Sequence, residues 1–322
     1  MHGEELTSGD QKHKFKIPWG MEKCVTVSLQ YPSKGGRERF QLKWPKHETD
    51  DYKPMEDIVE TIKHICLFYL PEELSEKYSS DDTGFGRLFN RAWQRQDIYE
   101  FTDIVKDFNA MLKPLIADGT IQRELGKQST LHLDLVKRIL DQTYARTVSP
   151  RVETLKAYTN GTDNVYGELF PRLISKFFRE THLNHEQCFV DIGSGVGNVV
   201  LQAALEVGCE SWGIEMMENP CHLAELQAAE LPARARLWGL NTGDIHLVRD
   251  DVRENEAIRN VLKRADVVLV NNQAFTPQLN ADLLAMFLDL REGCQIVSLR
   301  PFVPEGHKMT ARYINDLSLI HI

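Results

Sequence analysis

A glycine-rich loop follows an apolar run at residues 189–198, which read FVDIGSGVGN. Gly193, Gly195 and Gly197 alternate with other residues shortly after the acid Asp191. Glycine adopts backbone conformations that other residues avoid, and it lets the main chain approach a ligand closely. Loops of this kind bind nucleotide phosphates in some folds and other parts of a nucleoside cofactor in others. The surrounding residues must distinguish these chemistries.

The spacing of the glycines excludes two phosphate-binding motifs. A Walker loop ends in Gly-Lys-Ser/Thr, whereas this loop ends in Gly197-Asn198-Val199. The dinucleotide motif G-x-G-x-x-G/A needs a third small residue where Asn198 stands. The tighter spacing brings the backbone close to a ligand without framing a pyrophosphate. Because Asp191 can also accept a hydrogen bond from an ammonium group, the loop suits the amino-acid half of S-adenosylmethionine (SAM), although by itself it leaves other cofactors open.

Polar residues also end the next three predicted strands. Glu215 ends the second, where a carboxylate accepts hydrogen bonds from ribose hydroxyls in both NAD and SAM sites. Asp251 follows the third and is a candidate acceptor for an adenine amino group, with Val252 placed to pack on the ring. Asn271 ends the fourth, where enzymes that methylate nitrogen often hold the acceptor amine. Any one of these acids could cap a helix instead, but four such strand ends in this order favour a cofactor site.

After residue 165, short apolar segments alternate with helical ones. The predicted strands are 188–192, 211–215, 245–249, 266–271 and 294–299, and the predicted helices are 167–180, 197–207, 218–235, 253–264 and 279–290. This alternation indicates an α/β fold with a mainly parallel sheet covered by helices on both faces. Ligands of such sheets bind beyond the carboxyl ends of the strands, so the polar strand ends are expected to meet there.

The region before residue 157 has a different pattern. Two alternating segments, VTVSLQYP and RERFQLKWP, flank Lys34-Gly35-Gly36 and predict a β-hairpin. Apolar periodicity predicts helices at about 54–71, 97–115 and 129–146, the last with Ser129 as its N-cap. A polar, turn-rich stretch at 157–164 predicts a connection to the α/β part.

The expected domain organisation has three parts. These are a flexible N-terminal segment at 1–22, a mainly helical domain bearing the hairpin at 23–156, and the α/β core at 157–322. The chain has 322 residues, of which 42% are hydrophobic and 26% charged, as is typical of globular proteins in solution. No apolar stretch is long enough to cross a bilayer and the N-terminus lacks the apolar core of a signal peptide, so no membrane association is expected.

The six cysteines and the distribution of charge indicate where in the cell the protein is expected and which partners it could bind. The cysteines are scattered without a CxxC pair, which predicts reduced thiols, no metal site, and a location in the cytoplasm or nucleus. The net charge of −9 hides a basic segment at 11–46, where nine Lys and Arg stand against two Glu. A basic segment on an acidic protein can contact DNA or another acidic surface, although a solvated face of a small hairpin accounts for this charge equally well.

Several of these segments together resemble a known family. FVDIGSGVGNVVLQ, VYGE at 165–168, LVNNQAF at 269–275 and GCQIVSLRPF at 293–302 resemble the DOT-type (disruptor of telomeric silencing) histone H3 lysine methyltransferases, which lack a SET domain. The resemblance extends over about 23–316. It implies a class I SAM-dependent methyltransferase fold (Rossmann-like), transfer of a methyl group from SAM to a lysine of histone H3 in the nucleosome (lysine-79 type), a nuclear location, and no metal.

The same resemblance implies roles for particular residues. A loop closes over the methionine end of SAM and contributes Tyr166, Gly167, Glu168 and Leu169. The main cofactor wall consists of Phe189, Val190, Asp191, Ile192, Gly193, Ser194, Gly195, Val196, Gly197 and Asn198. Glu215 binds the ribose, and Asp251 with Val252 binds the adenine. Asn271 and Tyr166 lie beside the transferred methyl group, at the mouth of a channel for the lysine side chain.

The C-terminal end differs from the family pattern. The family continues past the fifth strand with a further strand pair, whereas this chain ends shortly afterwards at LSLIHI. We therefore expect the fifth strand to have one unpaired edge. Three functions remain open: a nucleosomal lysine methyltransferase, a SAM-dependent methyltransferase of a non-histone substrate, and a catalytically impaired module that binds SAM or chromatin.

Overall fold

The computed structural model describes residues 1–47, 52–80, 82–156, 169–302 and 318–321. Contacts divide the chain into two compact units, one formed by Met1–Pro150 with Pro232–Leu240 and the other by Arg151–Leu231 with Asn241–Ile322. The predicted domain border at 156/157 therefore differs in two places from the border between these units. Residues 151–156 belong to the second unit, and the segment Pro232–Leu240 belongs to the first, because Arg234 and Trp238 are buried there among residues of the first unit.

The first unit contains two small antiparallel sheets and seven helices within its described residues. Its strands are β1 (Phe15–Lys16), β2 (Thr26–Gln30), β3 (Arg37–Gln41) and β4 (Trp44–Pro45). Its helices are α1 (Gly3–Leu6), α2 (Pro54–Tyr69), α3 (Glu72–Ser79), α4 (Phe85–Arg95), α5 (Ile98–Ala117), α6 (Thr120–Gly126) and α7 (Leu133–Thr147). The predicted hairpin is confirmed as β2 and β3, paired from Thr26↔Gln41 to Gln30↔Arg37.

The three predicted helices of this unit are confirmed as α2, α5 and α7, with boundaries shifted by a few residues. The prediction of Ser129 as N-cap is wrong. The N-cap of α7 is His132, whose Nδ1 accepts a hydrogen bond from the Asp134 amide at 3.2 Å. Sequence patterns missed the shorter helices α1, α3, α4 and α6. Helices α1, α3 and α6 have only one or two turns, which give too little apolar periodicity to recognise. Helix α4 has three turns but buries only Phe85, Phe89 and Ala92.

Residues 1–22 are not the flexible segment that was predicted. The Gly3 amide at the start of α1 donates to the buried Glu38 carboxylate at 2.9 Å, and Lys43 Nζ donates to the Thr7 carbonyl at 2.6 Å. Strand β1 pairs with β4 in antiparallel register. These long-range contacts order the segment.

A buried ion network ties the first unit together. The Glu38 side chain has no exposed surface, and its carboxylate accepts from Arg146 at 2.7 Å, Arg234 at 2.5 Å and the Tyr31 hydroxyl at 2.6 Å. Arg146 also donates to Asp57 of α2 at 2.9 Å. Burial alone would raise the pKa of Glu38, but the two guanidinium groups outweigh it and lower that pKa. Both arginines and the glutamate are therefore charged at neutral pH.

The second unit is a doubly wound α/β structure. Its strands are β5 (Cys188–Ile192), β6 (Glu210–Glu215), β7 (Ile245–Arg249), β8 (Val267–Val270), β9 (Gln295–Ser298) and β10 (Ser318–His321). Its helices are α8 (Pro171–Glu180), α9 (Asn198–Gln202), α10 (Glu218–Leu237), α11 (Glu256–Leu262) and α12 (Pro277–Phe287), with a π-helical turn at Ala203–Val207 after α9. The end of α10, from Pro232 onwards, belongs to the first unit. The sheet order is β10-β9-β8-β5-β6-β7, and every pairing is parallel. The predicted Rossmann-like fold and its five strands are confirmed.

Alternate residues of the central strands supply the cores on the two faces of the sheet. Val190 of β5 and Val268 of β8 pack with α11 and α12 on one face. Phe189 and Leu269 pack with α8 on the other. Strands buried on both faces read as continuous apolar runs, which is why the sequence located them well. Within the described residues, no helix is both long and apolar enough to cross a bilayer.

The expectation of an unpaired edge at the fifth strand is wrong. Residues of β10 pair in parallel with β9, from Ser318↔Gln295 to His321↔Ser298. The short β10 segment thus satisfies backbone groups that an open sheet edge would present to solvent or to other chains.

Candidate functional site

The glycine loop has a backbone that requires glycine. Gly193, Gly195 and Gly197 have φ values of 78°, 55° and 83°, in the left-handed region that residues with a Cβ rarely adopt. The amides of Gly193 and Ser194 both donate to the Ile214 carbonyl, at 2.9 and 3.0 Å, which ties the loop to β6. The loop is therefore a rigid turn from β5 into α9, at the switch point between β5 and β8 where such sheets bind ligands.

A further glycine, which the sequence patterns did not single out, supports this loop. A Cβ added to Gly213 on β6 would lie 2.7 Å from Ser194 Oγ and 2.9 Å from Val200 Cγ2. The loop packs so closely on β6 that no side chain fits at this position. Only the tertiary contact identifies Gly213 as part of the site.

The Glu215 carboxylate holds the loop from the end of β6. Its Oε2 accepts from the Gly195 amide at 3.1 Å, and its Oε1 accepts from the Met217 amide at 2.8 Å. Burial raises the pKa of Glu215, and the backbone amides partly offset this rise. The remaining lone pairs face a small cleft. Residues lining that cleft include Ser194, Gly195, Glu215, Cys221, Leu247 and Val248.

Asp191 is a buried acid at the end of β5. Its side chain is 4% exposed, and no hydrogen-bond donor from the described residues contacts its carboxylate. Burial, with a smaller contribution from the charge of Glu215, raises the pKa of Asp191 to about 7. An acid held in this state is suited to a ligand that brings a cationic or hydrogen-bond-donating group.

This carboxyl group makes stability depend on pH. The folded chain binds its proton more tightly (pKa about 7) than an unfolded chain does (pKa about 3.9), so its contribution to the free energy of unfolding is complete below about pH 4 and is lost as the pH rises through 7. Between pH 5 and pH 8, we expect Asp191→Asn to gain about 2–3 kcal/mol relative to the wild type. Urea denaturation without ligand measures this difference. A difference that does not vary with pH would contradict the raised pKa.

The loop after β8 brings two asparagines to the site. Asn272 is 1% exposed, and its Nδ2 donates to Asn280 Oδ1 and to the Arg300 carbonyl, both at 3.0 Å. Its Oδ1 accepts from the Arg300 amide at 2.8 Å. Asn272 therefore joins the end of β8 to the start of α12 and to the segment after β9. Asn271, which precedes it, is half-buried.

Phe275 links this loop to the glycine loop. A Cβ built on Gly193 would lie 3.1 Å from Cζ of Phe275, so the ring sits directly against the backbone of the glycine turn. The end of β8 and the glycine loop are therefore neighbours, as two halves of one site must be. Phe275 ends the segment LVNNQAF of the family resemblance, but no sequence pattern indicated this contact.

Asp251 and Val252, which were predicted to bind adenine, follow β7 and already contact other residues of the chain. Arg253 Nη2 contacts Asp251 Oδ2 at 2.6 Å, and the Arg253 amide donates to Asp251 Oδ1 at 2.9 Å. These hydrogen bonds lower the pKa of Asp251. Val252 is 8% exposed and packs in the core. Arg253 Nε also donates to Oδ1 and Oδ2 of Asp251, at 3.0 and 3.2 Å, so each carboxylate oxygen already accepts two hydrogen bonds. An adenine amino group would have to displace Arg253 from one of these oxygens.

A family model described as "Histone methylation protein DOT1" matches residues 144–321, which is more than half of the chain. The chain belongs to this family. The matched region includes the glycine loop, Glu215 and the asparagine pair after β8, so the site lies inside the part that the DOT1 family shares.

Curated relatives from fungi are similar over almost the whole chain. A protein of Emericella nidulans is 52% identical over 317 residues, covering 98% of this chain and 63% of the relative. A protein of Aspergillus fumigatus is 51% identical, covering 97% of this chain and 62% of the relative. Both relatives are named "Histone-lysine N-methyltransferase, H3 lysine-79 specific". The chain thus spans less than two thirds of the length of these DOT1-family relatives.

Solved structures with a related backbone are more distant. One is an RNA methyltransferase from Salinibacter ruber in complex with S-adenosyl-L-homocysteine, with 22% identity, a TM-score of 0.33, and coverage of 41% of this chain and 76% of that one. Another is a SAM-dependent methyltransferase from Geobacter sulfurreducens, with 16% identity, a TM-score of 0.31, and coverage of 44% and 52%. Both matches cover less than half of this chain.

The site residues predicted from the DOT1-family pattern fall into three groups. The structure brings 189–198, Glu215, Asp251, Val252 and Asn271 to the carboxyl edge of the sheet. Leu169 is half-buried just before α8. Tyr166, Gly167 and Glu168 lie outside the described residues, so their roles stay predictions. Among the described residues, no group of three or more His, Cys, Asp or Glu could hold a metal ion.

Proposed function

We propose that this protein transfers a methyl group from SAM to a lysine of histone H3 in the nucleosome, of the lysine-79 type. The observation that carries the proposal is the pair of carboxylates at the glycine loop of a DOT1-family core, of which Asp191 is buried and Glu215 is half-buried. The curated fungal relatives, whose names state this activity, support it.

The residues present fit SAM. Asp191 has no hydrogen-bond donor among the residues that the structure describes and would bind the ammonium group of the methionine moiety, while Glu215 would accept from the ribose hydroxyls. The glycines at 193, 195 and 197 leave the loop backbone open to close approach. Asp251 and Val252 would contact the adenine. When bound, SAM supplies a methyl group that its sulfonium already activates for transfer.

The protein has to position and deprotonate the acceptor amine. A lysine side chain has a pKa of about 10.4 in water, and removal from water lowers it toward the neutral form that can attack. The side-chain carboxamide oxygen of Asn271 would accept a hydrogen bond from this amine and orient it. The Phe275 ring beside the glycine loop would exclude water. Tyr166 would complete the acceptor side, and Gly167, Glu168 and Leu169 would close the cofactor end. Orientation and desolvation then supply most of the catalysis.

The proposed partner is the nucleosome, and the proposed location is the nucleus. Most Lys and Arg side chains of the basic segment 11–46 are exposed, which supports a contact with DNA or another acidic surface. Lys43 does not contribute to it, since it is 8% exposed and donates to the Thr7 carbonyl. The alternatives are a non-histone substrate and a module that binds SAM or chromatin without turnover.

Methyl transfer from radiolabelled SAM tests this function, with whole nucleosomes and free histone H3 compared as acceptors. We expect labelling of H3 in nucleosomes and little labelling of free H3. Equal labelling of both would contradict a nucleosomal substrate and favour the non-histone or broad-specificity alternative. Binding of SAM without labelling of either acceptor would favour the non-catalytic alternative.

Asn271→Ala should separate cofactor binding from turnover. We expect its SAM affinity to stay within about twofold of the wild type and its turnover to fall by about 10- to 100-fold, because only the orientation of the acceptor amine is lost. Gln273→Ala is the matched control, since Gln273 lies two residues further along the same loop with an exposed side chain. If Asn271→Ala abolished SAM binding in calorimetry, the role of Asn271 at the acceptor end would be wrong.

A further inference from the structure

Three tryptophans of the first unit surround a cleft that the proposed methyl transfer does not use. The cleft has a volume of about 380 Å³ and is lined by residues 16–20, Trp44 and Trp93. Trp93 meets Trp44 at a ring-centroid distance of 4.9 Å and Trp19 at 5.9 Å, with interplanar angles of 72° and 80°. All three side chains are partly exposed.

The edge-to-face arrangement leaves aromatic surface available. Each such contact covers one face of one indole and leaves both faces of the other uncovered by that contact. A fully packed aromatic core would bury these rings, as the first unit does with Trp238, which is 0% exposed. The cleft therefore presents flat aromatic surface together with space for a planar group.

The backbone of Trp19 is held in an unfavourable conformation beside the cleft. Trp19 and Gly20 have φ values of 55° and 70°, and the Met21 amide donates to the Pro18 carbonyl at 3.2 Å, which closes a turn with two left-handed central residues. Such a turn favours Asn or Gly, and a bulky residue with positive φ is rare. Conformations of this kind persist where the surrounding structure enforces them, and they cluster at binding sites.

The charges around the cleft indicate the class of ligand. Lys16 is the one charged residue among the described residues that line it, and Lys16 pairs across β1 and β4 with Trp44. The exposed Lys12 and Lys46 lie nearby in the chain, together with one exposed acid, Glu22. A cage for a methylated ammonium group uses aromatic faces to attract a cation, and the lysine in this lining would repel one. An aromatic ligand that carries negative charge fits both features.

We propose that this tryptophan cleft binds single-stranded nucleic acid, with one base stacked on an indole and Lys16 contacting the phosphate backbone. Aromatic platforms beside positive side chains are the general means of binding single strands, since every base has a π-face. The bases of a duplex are stacked on one another and cannot enter the cleft. RNA and DNA single strands share this chemistry.

Fluorescence anisotropy of the full chain tests the proposal, with labelled oligouridylate and oligothymidylate about 12 nucleotides long and a duplex of the same length. We expect both single strands to bind more tightly than the duplex and to quench tryptophan fluorescence, and the tighter of the two identifies the source. Trp19→Ala should weaken binding about tenfold. Lys16→Ala should reduce the slope of log K against log salt by about 0.7, as expected for the loss of one phosphate contact.

Tyr99→Ala is the matched control, because Tyr99 is an aromatic residue of the same unit that is 65% exposed and lies outside the cleft.

Preference for the duplex, or unchanged binding in both Trp19→Ala and Lys16→Ala, would overturn the proposal. Trp19-dependent binding of a trimethyl-lysine or proline-rich peptide, with no binding of oligonucleotides, would also overturn it. If Trp19→Ala fails to fold, the salt slope of Lys16→Ala still decides. The assay contains neither SAM nor histone, so its failure is distinct from failure of methyl transfer.

Discussion

Glu215→Ala is expected to lower the affinity for SAM by about 100-fold or more. In the proposed site, the variant would lose two hydrogen bonds from ribose hydroxyls to a charged carboxylate, each worth about 1.5–3 kcal/mol. The substitution also removes the acceptor of the Gly195 and Met217 amides, which lie 3.1 and 2.8 Å from the carboxylate oxygens. The glycine loop then loses its support at the end of β6. Calorimetric titration with SAM measures the change.

Glu210→Ala is the matched control for this prediction. Glu210 is a glutamate at the opposite end of the same strand, where its carboxylate pairs with Arg264 at 2.5 Å and accepts from Trp212 Nε1 at 2.7 Å. We expect its SAM affinity to equal that of the wild type. Similar affinities for the Glu215→Ala and Glu210→Ala proteins would remove the cofactor assignment.

Glu38→Ala is expected to destabilise the first unit by about 3–5 kcal/mol, since it leaves buried guanidinium groups without their counter-charge. Arg146 and Arg234 are 0% and 1% exposed and both donate to Glu38. The Gly3 amide and the Tyr31 hydroxyl lose the same acceptor. Urea denaturation followed by tryptophan fluorescence measures the loss, because Trp238 is fully buried beside Tyr31 in this unit.

Glu4→Ala provides the comparison for Glu38→Ala. Glu4 forms an ion pair with Arg39 at 2.6 Å on the surface, where the arginine side chain is 60% exposed. Exposed pairs contribute about 0–1 kcal/mol, so we expect a change of that size. If Glu38→Ala cost no more than Glu4→Ala, the buried network would not be a source of stability, and water would have to reach the two arginines.

The α/β core and most of its site could be predicted from the sequence because their signals are local. A strand buried on both faces is a short apolar run, and all five predicted strands are present. A turn that requires left-handed backbone needs glycine, and all three glycines of the loop have positive φ. Parallel strands end at one edge of the sheet, so the order of Asp191, Glu215 and Asn271 along the chain already placed them near one another.

The tertiary structure alone decided the features that depend on residues far apart in the chain. In the sequence, Glu38 is one acidic residue in a basic hairpin and nothing indicates that it is buried. Only folding brings Arg146 and Arg234 into contact with it. Asn272 has no distinctive signal in the sequence. Its hydrogen bonds to the backbone of Arg300 form only because folding brings the end of β9 beside β8. No local pattern encodes such contacts, because each partner is chosen by packing and not by neighbouring residues.

Contacts between residues far apart in the chain also explain the other features that the sequence did not predict. The tryptophans of the cleft come from three separate segments, and nothing in any one of them indicates the others. The pairing of β10 with β9 depends on where distant chain segments meet, as does the place of Pro232–Leu240 in the first unit. The sequence by itself determined the longer helices, the strands of the α/β core and the residue types at the ends of those strands. Packing between distant elements decided which charges are buried, which residues support the site, and where aromatic surface stays open.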